Sequence, residues 1–314
     1  MQGWMIALIV IASVIVLLAI LTPIGGVVAL NATLGRRDKH AMKSESPEKY
    51  GVDTSWFDEV EEYTEHLNME AYDGVPLSAM LLRHKVDDGA ESIKRVALLQ
   101  HGYWASPRSM QPYAKIFWEK GYDVLMPYAR AHGASGGKYV GMAWIDRFDV
   151  MRWIDRTVEM YGKDIKILTM GVSMGGSTVA AVSGMNPPSQ VKCVIDDCGF
   201  SSQKEEYYAC VNKVPLPRAI SILPLVIGVR FGCGYSVYDA DIKPLVAQSK
   251  LPTLFIHGKN DTFVPCALGQ KLYDACGATD KQFELFDATH AASFASDRDR
   301  YTALISEFAD KYIA

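Results

Sequence analysis

A glycine–serine–glycine pattern constrains this chain more than any other feature. The segment Gly171–Gly175 reads G-V-S-M-G, with a short apolar, β-branched run at 165–170 before it and a run of small residues at 177–184 after it. A strand that enters a helix through such a turn holds the serine in strained backbone angles, and the glycines leave room for neighbouring chain. The alternative is a chance pattern in a glycine-rich loop. The flanking patterns favour the tight turn at Ser173.

Two polar residues follow later predicted strands. Asp261 comes just after an apolar run at 251–257, and His290 comes after another at 283–286. Open α/β sheets place ligand-facing groups at the carboxyl ends of their strands. A serine hydroxyl becomes a useful nucleophile when an imidazole takes its proton, and a carboxylate fixes the tautomer of that imidazole. The chain order Ser173, Asp261, His290 therefore predicts a hydrolytic triad.

A competing acid stands at the end of the predicted strand 191–195. Asp196 and Asp197 close that strand, and either carboxylate would also lie at the carboxyl edge of the sheet. Asp261 has the better local context, because a strand and a polar His257–Gly258 turn lead directly to it. We therefore assign the orienting acid to Asp261.

The loop after an early strand is the candidate oxyanion hole. A buried-strand pattern at 95–100 runs into His101–Trp104. The backbone N–H of Tyr103, paired with that of Met174, would stabilise the oxyanion of a tetrahedral intermediate. His101 is predicted to brace this loop rather than to transfer a proton. Trp104 is a candidate for the substrate pocket, although an aromatic residue beside a sheet can equally serve packing.

Taken together, these segments resemble the α/β-hydrolase superfamily, in its esterase-like and serine-aminopeptidase-like branch. The similarity covers about residues 65–314. In relatives the segment that begins at Arg130 usually opens with Pro-Asp, whereas this chain has Pro127–Tyr128. That segment is a structural turn in the family, so the difference affects no catalytic assignment. The resemblance rests on His101–Gly102, Arg130–Gly137, Gly171–Gly175, His257–Asp261 and the region of His290.

The resemblance implies a serine hydrolase that uses neither a metal nor an organic cofactor. We expect it to cleave a carboxylic ester or thioester of a small-molecule or lipid-like acyl substrate through an acyl-enzyme. An aminopeptidase and an acyltransferase would use the same triad. A catalytically dead hydrolase fold that serves as a binding module is the alternative of another class.

The order of predicted elements indicates one α/β domain at 65–314. A hairpin with its turn at Asp73–Gly74 comes first. Strands near 95–100, 123–127, 165–171, 191–196, 252–257 and 282–286 then alternate with helical patterns, including 142–161 and 297–312. This alternation predicts a doubly wound, mostly parallel sheet. The interval of about 201–250 is longer than a plain crossover and is predicted to form a small helical cap.

Net charge and cysteine spacing limit the partners and the cysteine chemistry that this chain can be expected to have. The net charge of −4, without basic clusters in the folded part, argues against a nucleic-acid partner. The six cysteines show no C-x-x-C pair and no zinc spacing. Reduced buried cysteines are expected, and a disulfide between Cys210 and Cys233 is the alternative.

The N-terminus predicts a separate membrane element. Residues 5–21 are almost entirely apolar, and no charged side chain precedes Arg36. This predicts a single-pass transmembrane anchor at 1–34 and a juxtamembrane linker at 35–64. Arg36, Arg37, Lys39 and Lys43 then favour a cytoplasmic catalytic domain, with an extracytoplasmic domain as the alternative. A chain that begins near Lys43 would accordingly keep its activity.

Overall fold

The computed structural model describes residues 3–36, 55–84 and 95–313. Within this part of the chain, one eight-stranded sheet has the order β1-β2-β4-β3-β5-β6-β7-β8. The β1–β2 and β2–β4 pairs are antiparallel, and the other five pairs are parallel. The strands are β1 Thr64–Glu70, β2 Pro76–Leu82, β3 Arg95–Gln100, β4 Asp123–Pro127, β5 Lys166–Val172, β6 Val191–Asp197, β7 Thr253–Gly258 and β8 Lys281–Phe286.

Helices cover both faces of this sheet. The α-helices are α1 Gly3–Thr33, α2 Ser55–Glu59, α3 Gln111–Glu119, α4 Asp146–Tyr161, α5 Met174–Ser183, α6 Gln203–Cys210, α7 Arg218–Gly232, α8 Lys243–Val246, α9 Cys266–Ala275, α10 Ser293–Ser296 and α11 Arg298–Ile313. Apolar side chains of α2, α3 and α11 form the core on one face. On the other face, α4 packs over β2, β3 and β5, and the remaining core joins α5, α6, α7 and α9. The predicted doubly wound, mostly parallel sheet is confirmed.

The predicted strands agree with the observed ones to within about one residue, whereas the start of α4 differs. The helical pattern predicted a start at Met142, but α4 begins at Asp146. Met142 and Ala143 have positive φ values of 46° and 64°, which a right-handed helix does not accept. The Asp146 carboxylate accepts a hydrogen bond from the backbone N–H of Ala143 (2.9 Å). This contact stabilises a turn ahead of the helix.

The interval 201–250 contains α6, α7 and α8, and we call it the cap. It follows β6 and returns to the sheet at β7. In this structure all six cysteines are free, including Cys210 and Cys233. The disulfide considered between those two is therefore not formed.

The predicted transmembrane anchor is wrong. Across residues 3–36, 55–84 and 95–313, the structure contains no helix that is both long enough and apolar enough to cross a membrane. The expected single-pass membrane location, and the membrane as a partner through this helix, are overturned with it. The predicted cytoplasmic orientation of the catalytic domain depended in part on Arg37, Lys39 and Lys43. These residues lie outside the described residues, as does the part of the predicted linker at 37–54.

The last turns of α1 belong to the hydrolase fold instead. Leu30 and Leu34 are buried in the same core as the cap helices. Beyond the helix, the backbone N–H of Val140 donates to the carbonyl of Leu34 (2.8 Å). The Arg36 guanidinium donates to the carbonyl groups of Gly133 and Ser135. The apolar segment was predicted to contact lipid, but its carboxyl end therefore makes its contacts within the protein.

Candidate active site

Ser173 lies at the carboxyl end of β5, on the turn into α5. Its backbone has φ 58° and ψ −119°, a strained combination for a residue with a side chain. The turn is tight because its two glycines touch neighbouring backbone. A Cβ on Gly171 would collide with the carbonyl of Gly175, and a Cβ on Gly175 would collide with the carbonyl of Gln100. The backbone N–H of Ser173 donates to the carbonyl of Asp197 (2.7 Å), which fixes the turn to β6.

The structure brings Ser173, His290 and Asp261 together across 117 residues of sequence. His290 Nε2 lies 2.9 Å from Ser173 Oγ, and His290 Nδ1 lies 2.7 Å from Asp261 Oδ2. A carboxylate accepts hydrogen bonds and donates none. His290 therefore carries its proton on Nδ1, and its Nε2 is free to accept the proton of the serine hydroxyl.

Asp261 is held as a carboxylate by its surroundings. Burial opposes its ionisation, but the neighbouring His257 ring, whose Nε2 lies 3.5 Å from Oδ2, and the hydrogen bond from His290 outweigh burial and lower its pKa to about 2. The other carboxylate oxygen, Oδ1, accepts from the backbone N–H groups of Phe263 and Val264, each at 2.9 Å. Both oxygens of Asp261 are therefore fixed, and the imidazole of His290 has one preferred orientation.

His257 lies beside Asp261 and stabilises its ionised form, a role that the sequence analysis did not predict. Its ring is fully buried, and Nε2 lies 2.9 Å from the carbonyl of Val264 and 3.5 Å from Asp261 Oδ2. Burial lowers the pKa of His257, but Asp261 and the carbonyl of Val264 raise it above its ordinary value. The spacing of four residues between His257 and Asp261 was the available signal.

The competing acids serve the interior of the fold. Asp197 Oδ2 accepts from the hydroxyl of Tyr301 (2.7 Å), and Asp196 Oδ1 accepts from the backbone N–H of Gly199 (3.0 Å). Burial raises the pKa of Asp197 to about 6 and that of Asp196 to about 7. His290 hydrogen-bonds Asp261 rather than either of them.

The loop after β3 lies directly beside Ser173. A Cβ on Gly102 would come within 3.2 Å of the carbonyl of Val172 and 3.3 Å of the Cβ of Ser173. Two buried histidines brace this loop. His101 Nε2 accepts from the backbone N–H of Ala129 (2.9 Å), and His132 Nε2 accepts from that of Trp104 (3.0 Å).

Both bracing histidines are neutral. Burial, aided by the neighbouring ring of His132, lowers the pKa of His101 to about 3. Burial likewise lowers the pKa of His132 to about 4. A structural role for His101 was predicted, whereas His132 was not singled out. The loop that carries the candidate oxyanion donor Tyr103 is thus held at a fixed position beside Ser173.

A large, mostly apolar cavity of about 700 Å³ opens above Ser173 and His290. Tyr103 and Trp104 stack with ring centroids 4.6 Å apart and line this cavity. The cap contributes Tyr207, Ile222 and Leu225. The carboxyl end of α1 contributes Ala29 and Thr33, Leu34 follows directly after the helix, and the Tyr103 hydroxyl donates to the carbonyl of Thr33. This contribution of α1 had no signal in the sequence.

One group at the site has the composition of a metal-binding cluster. Cys198, Asp261 and His290 offer ligand atoms that lie within 4.8 Å of one another. Asp261 Oδ2 and His290 Nδ1 already take part in a mutual hydrogen bond. Burial raises the pKa of the Cys198 thiol well above its usual range, so it stays protonated, while a metal ligand has to be a thiolate. The geometry suits proton transfer between serine and histidine rather than metal binding.

Comparisons with known families cover most of the α/β domain. A sequence model for a family described as "Serine aminopeptidase, S33" matches residues 91–220. A second, described as "Serine hydrolase (FSH1)", matches residues 169–294. The two overlap at 169–220, which includes Ser173, and the second also includes Asp261 and His290.

Curated relatives are distant. The chain is 24% identical to the uncharacterized protein YqkD of Bacillus subtilis over 215 residues, which are 68% of this chain and 70% of that protein. It is 27% identical to a thermostable monoacylglycerol lipase of Bacillus sp. strain H-257 over 169 residues, which are 50% of this chain and 56% of the lipase.

Solved structures share the fold. The esterase Pf2001 of Pyrococcus furiosus superimposes with a TM-score of 0.63 at 20% identity, covering 86% of this chain and 94% of the esterase. An acylaminoacyl peptidase of Pyrococcus horikoshii gives a TM-score of 0.59 at 18% identity, covering 79% of this chain and 41% of the peptidase.

Proposed function

The chain is a serine hydrolase of the α/β-hydrolase superfamily, of the esterase and serine-aminopeptidase type, and from this premise we propose that it cleaves carboxylic esters or thioesters through an acyl-enzyme. The observation that carries the proposal is the hydrogen-bonded series from Ser173 through His290 to Asp261, at 2.9 and 2.7 Å. This series lies at the floor of a mostly apolar cavity that is large enough for an acyl chain.

In the proposed mechanism, Ser173 Oγ attacks the acyl carbonyl while its proton passes to His290 Nε2. Asp261 keeps the proton on Nδ1 and stabilises the imidazolium that forms. The backbone N–H groups of Tyr103 and Met174 stabilise the oxyanion. His290 then protonates the leaving alcohol or thiol, and water hydrolyses the acyl-enzyme by the reverse proton path.

Two features favour an ester or thioester over a peptide bond. The cavity wall is mostly apolar, which suits a lipid-like acyl chain better than a peptide backbone. The relatives include a monoacylglycerol lipase and an esterase. Peptide cleavage and acyl transfer to an alcohol would use the same three side chains and remain alternatives. A binding module without activity fits poorly, because Ser173 Oγ lies within hydrogen-bond distance of His290 Nε2, at 2.9 Å.

A fluorophosphonate probe tests the proposal, since it labels activated serines. The purified chain should be labelled at Ser173, and labelling should disappear in Ser173→Ala. A panel of p-nitrophenyl esters with graded acyl chains then reports turnover and chain-length preference. An unlabelled, folded chain that hydrolyses none of these esters would contradict the proposed activity.

A further inference from the structure

Residues 101–104, which we call the oxyanion loop, are strained and lie against the nucleophile. Trp104 has a positive φ of 54°, a backbone conformation that is strained for a residue with a side chain. Gly102 lets the loop approach Ser173, because a Cβ on this glycine would lie 3.9 Å from Ser173 Oγ. A strained loop keeps its conformation only where the surrounding structure holds it. The contacts that hold this loop therefore determine where its backbone N–H groups lie.

The end of α1 makes one of these contacts directly. The last carbonyl groups of a helix have no partner within the helix, and the hydroxyl of Tyr103 donates to that of Thr33, the residue that ends α1. The ring of Tyr103 stacks on that of Trp104 with centroids 4.6 Å apart. This hydrogen bond thus ties the aromatic pair of the oxyanion loop to a residue 70 positions earlier in the chain.

A second connection begins at Arg36, shortly after α1. Its guanidinium donates to the carbonyl of Ser135 at 2.5 Å and to that of Gly133 at 2.7 Å. The backbone N–H of Arg36 donates to the carbonyl of Lys138 at 2.9 Å. Hydrogen bonds from a charged donor are stronger than those between neutral groups. Arg36 therefore fixes the loop 133–138 to the chain that leaves α1.

His132 connects this loop to the oxyanion loop. Its Nδ1 donates to the carbonyl of Arg130 at 2.9 Å, so Nε2 is left to accept from the backbone N–H of Trp104 at 3.0 Å. Burial, with a contribution from the positive charge of Arg36, lowers the pKa of His132 to about 4. The ring is therefore neutral near neutral pH and keeps its acceptor nitrogen. Because Arg36 binds the residue next to His132, loss of Arg36 should loosen this acceptor.

We propose that Arg36 and the hydroxyl of Tyr103 are positioning groups for the oxyanion hole. Through them, the end of α1 holds the oxyanion loop where the backbone N–H of Tyr103 can bind the oxyanion. This inference rests on the proposed hydrolase mechanism. It adds that the N-terminal segment affects the chemical step, in addition to forming part of the cavity wall.

Two variants test the two connections. Tyr103→Phe keeps the ring and the backbone N–H but loses the bond to Thr33, and Arg36→Met loses both guanidinium bonds. Each should lower kcat roughly 10-fold with KM within about twofold, because a displaced donor weakens binding of the transition state rather than of the ester. The loss should be similar for p-nitrophenyl acetate and p-nitrophenyl octanoate. Rates are divided by the amount of serine that a fluorophosphonate labels at saturation, so that misfolded protein is not counted.

Each variant has a matched control with the same change in chemistry. Tyr72→Phe removes an exposed hydroxyl that bonds Asp155, and Arg230→Met removes a guanidinium that bonds the carbonyl of Gly234 in the cap. We expect both controls to keep the kcat of the wild type. Unchanged kcat in both test variants would overturn the proposal. A loss on the octanoate ester alone, or in KM alone, would also overturn it, because the end of α1 would then act only as cavity wall.

Hydrogen exchange separates this inference from the proposed function, because it needs no turnover. Backbone amides in peptides that cover residues 101–105 should exchange faster in both test variants than in the wild type, and the controls should match the wild type. Unchanged exchange in both test variants would overturn the positioning role. If the wild type hydrolyses neither ester, the esterase proposal fails. The rate at which a fluorophosphonate labels Ser173, a reaction that also places an oxygen in the oxyanion hole, then takes the place of kcat.

Discussion

The carbonyl group of Gly26 in α1 lies directly against the Cα of Gly228 in α7. A Cβ on Gly228 would collide with that carbonyl, and a Cβ on Gly26 would approach the backbone N of Gly228 to 3.1 Å. This contact lets the two helices cross at their backbones, so the next turn of α1 reaches the cavity with Ala29 and Thr33. The N-terminal helix is therefore part of the wall around the candidate active site.

We predict that Leu30→Ala destabilises the protein and alters its chain-length preference. Leu30 is 1% exposed and packs with the cap, so its truncation should lower the free energy of unfolding by about 2–5 kcal/mol. Leu21→Ala is the matched control on the same helix. Leu21 is 51% exposed, and its loss should change stability by no more than about 0.5 kcal/mol. Urea unfolding and the p-nitrophenyl ester panel measure the two effects.

Deletion of residues 1–36 tests whether α1 forms part of the cavity wall. The sequence alone suggested that a chain beginning near Lys43 would keep its activity. The structure predicts the opposite, because the deletion removes Ala29, Thr33 and Leu34 from the cavity wall and the acceptor of the Tyr103 hydroxyl. Activity on long-chain esters should fall more than activity on acetate. Equal chain-length profiles for the shortened and full chains would contradict a role for α1 in the wall.

Ser173→Ala should lower kcat for ester hydrolysis by about 10⁴-fold or more, because it removes the nucleophile of a group of residues that acts as a unit. Ser183→Ala, at the other end of α5, removes a hydroxyl that bonds only the carbonyl of Ala180 in the described structure and serves as the control. Stopped assays with p-nitrophenyl butyrate measure both. Comparable turnover in the two variants would rule out Ser173 as the nucleophile.

The two candidate acids should differ in effect. Asp261→Asn should reduce kcat roughly 10³- to 10⁴-fold, because the amide no longer fixes the tautomer of His290. Asp197→Asn should cost much less, since the carboxyl group of Asp197 bonds Tyr301 and Ser293 rather than His290. Steady-state kinetics of the two variants, with circular dichroism to verify folding, decide the order. A larger loss in Asp197→Asn would reverse the assignment.

The buried carboxyl group of Asp196 should make stability depend on pH. Its folded pKa is raised to about 7 by burial, whereas an unfolded aspartate titrates near 3.9. Between about pH 4 and pH 7 the unfolded chain releases this proton first, so this group lowers the free energy of unfolding as pH rises. Asp196→Asn removes that dependence.

Urea unfolding across this range should therefore show that the free energy of unfolding of the Asp196→Asn variant rises relative to that of the wild type as the pH increases. The gain should level off above about pH 7, where the folded wild type also carries the charge. A constant difference between the two proteins over the whole range would show that the folded carboxyl group is not protonated.

Local sequence patterns predicted the sheet well because buried strands and tight turns leave local signals. The run 165–170 and the glycines around Ser173 encode a strand and a turn within a dozen residues. Asp261 and His290 were singled out for the same reason, since each follows its own strand. The start of α4 was misplaced, because an apolar pattern does not reveal the positive φ values at Met142 and Ala143.

The sequence by itself determined the α/β fold, the chain order of the three polar residues and the turn at Ser173, because each depends on neighbours along the chain. Only the tertiary structure decided which groups meet. It brought His257 beneath Asp261, His132 against Trp104 and the end of α1 against the cap. Among the described residues, it also left Glu206 Oε2 without a hydrogen-bond partner. Such contacts join residues far apart in the chain. The sequence around an apolar or acidic residue does not indicate which part of the protein its side chain will contact.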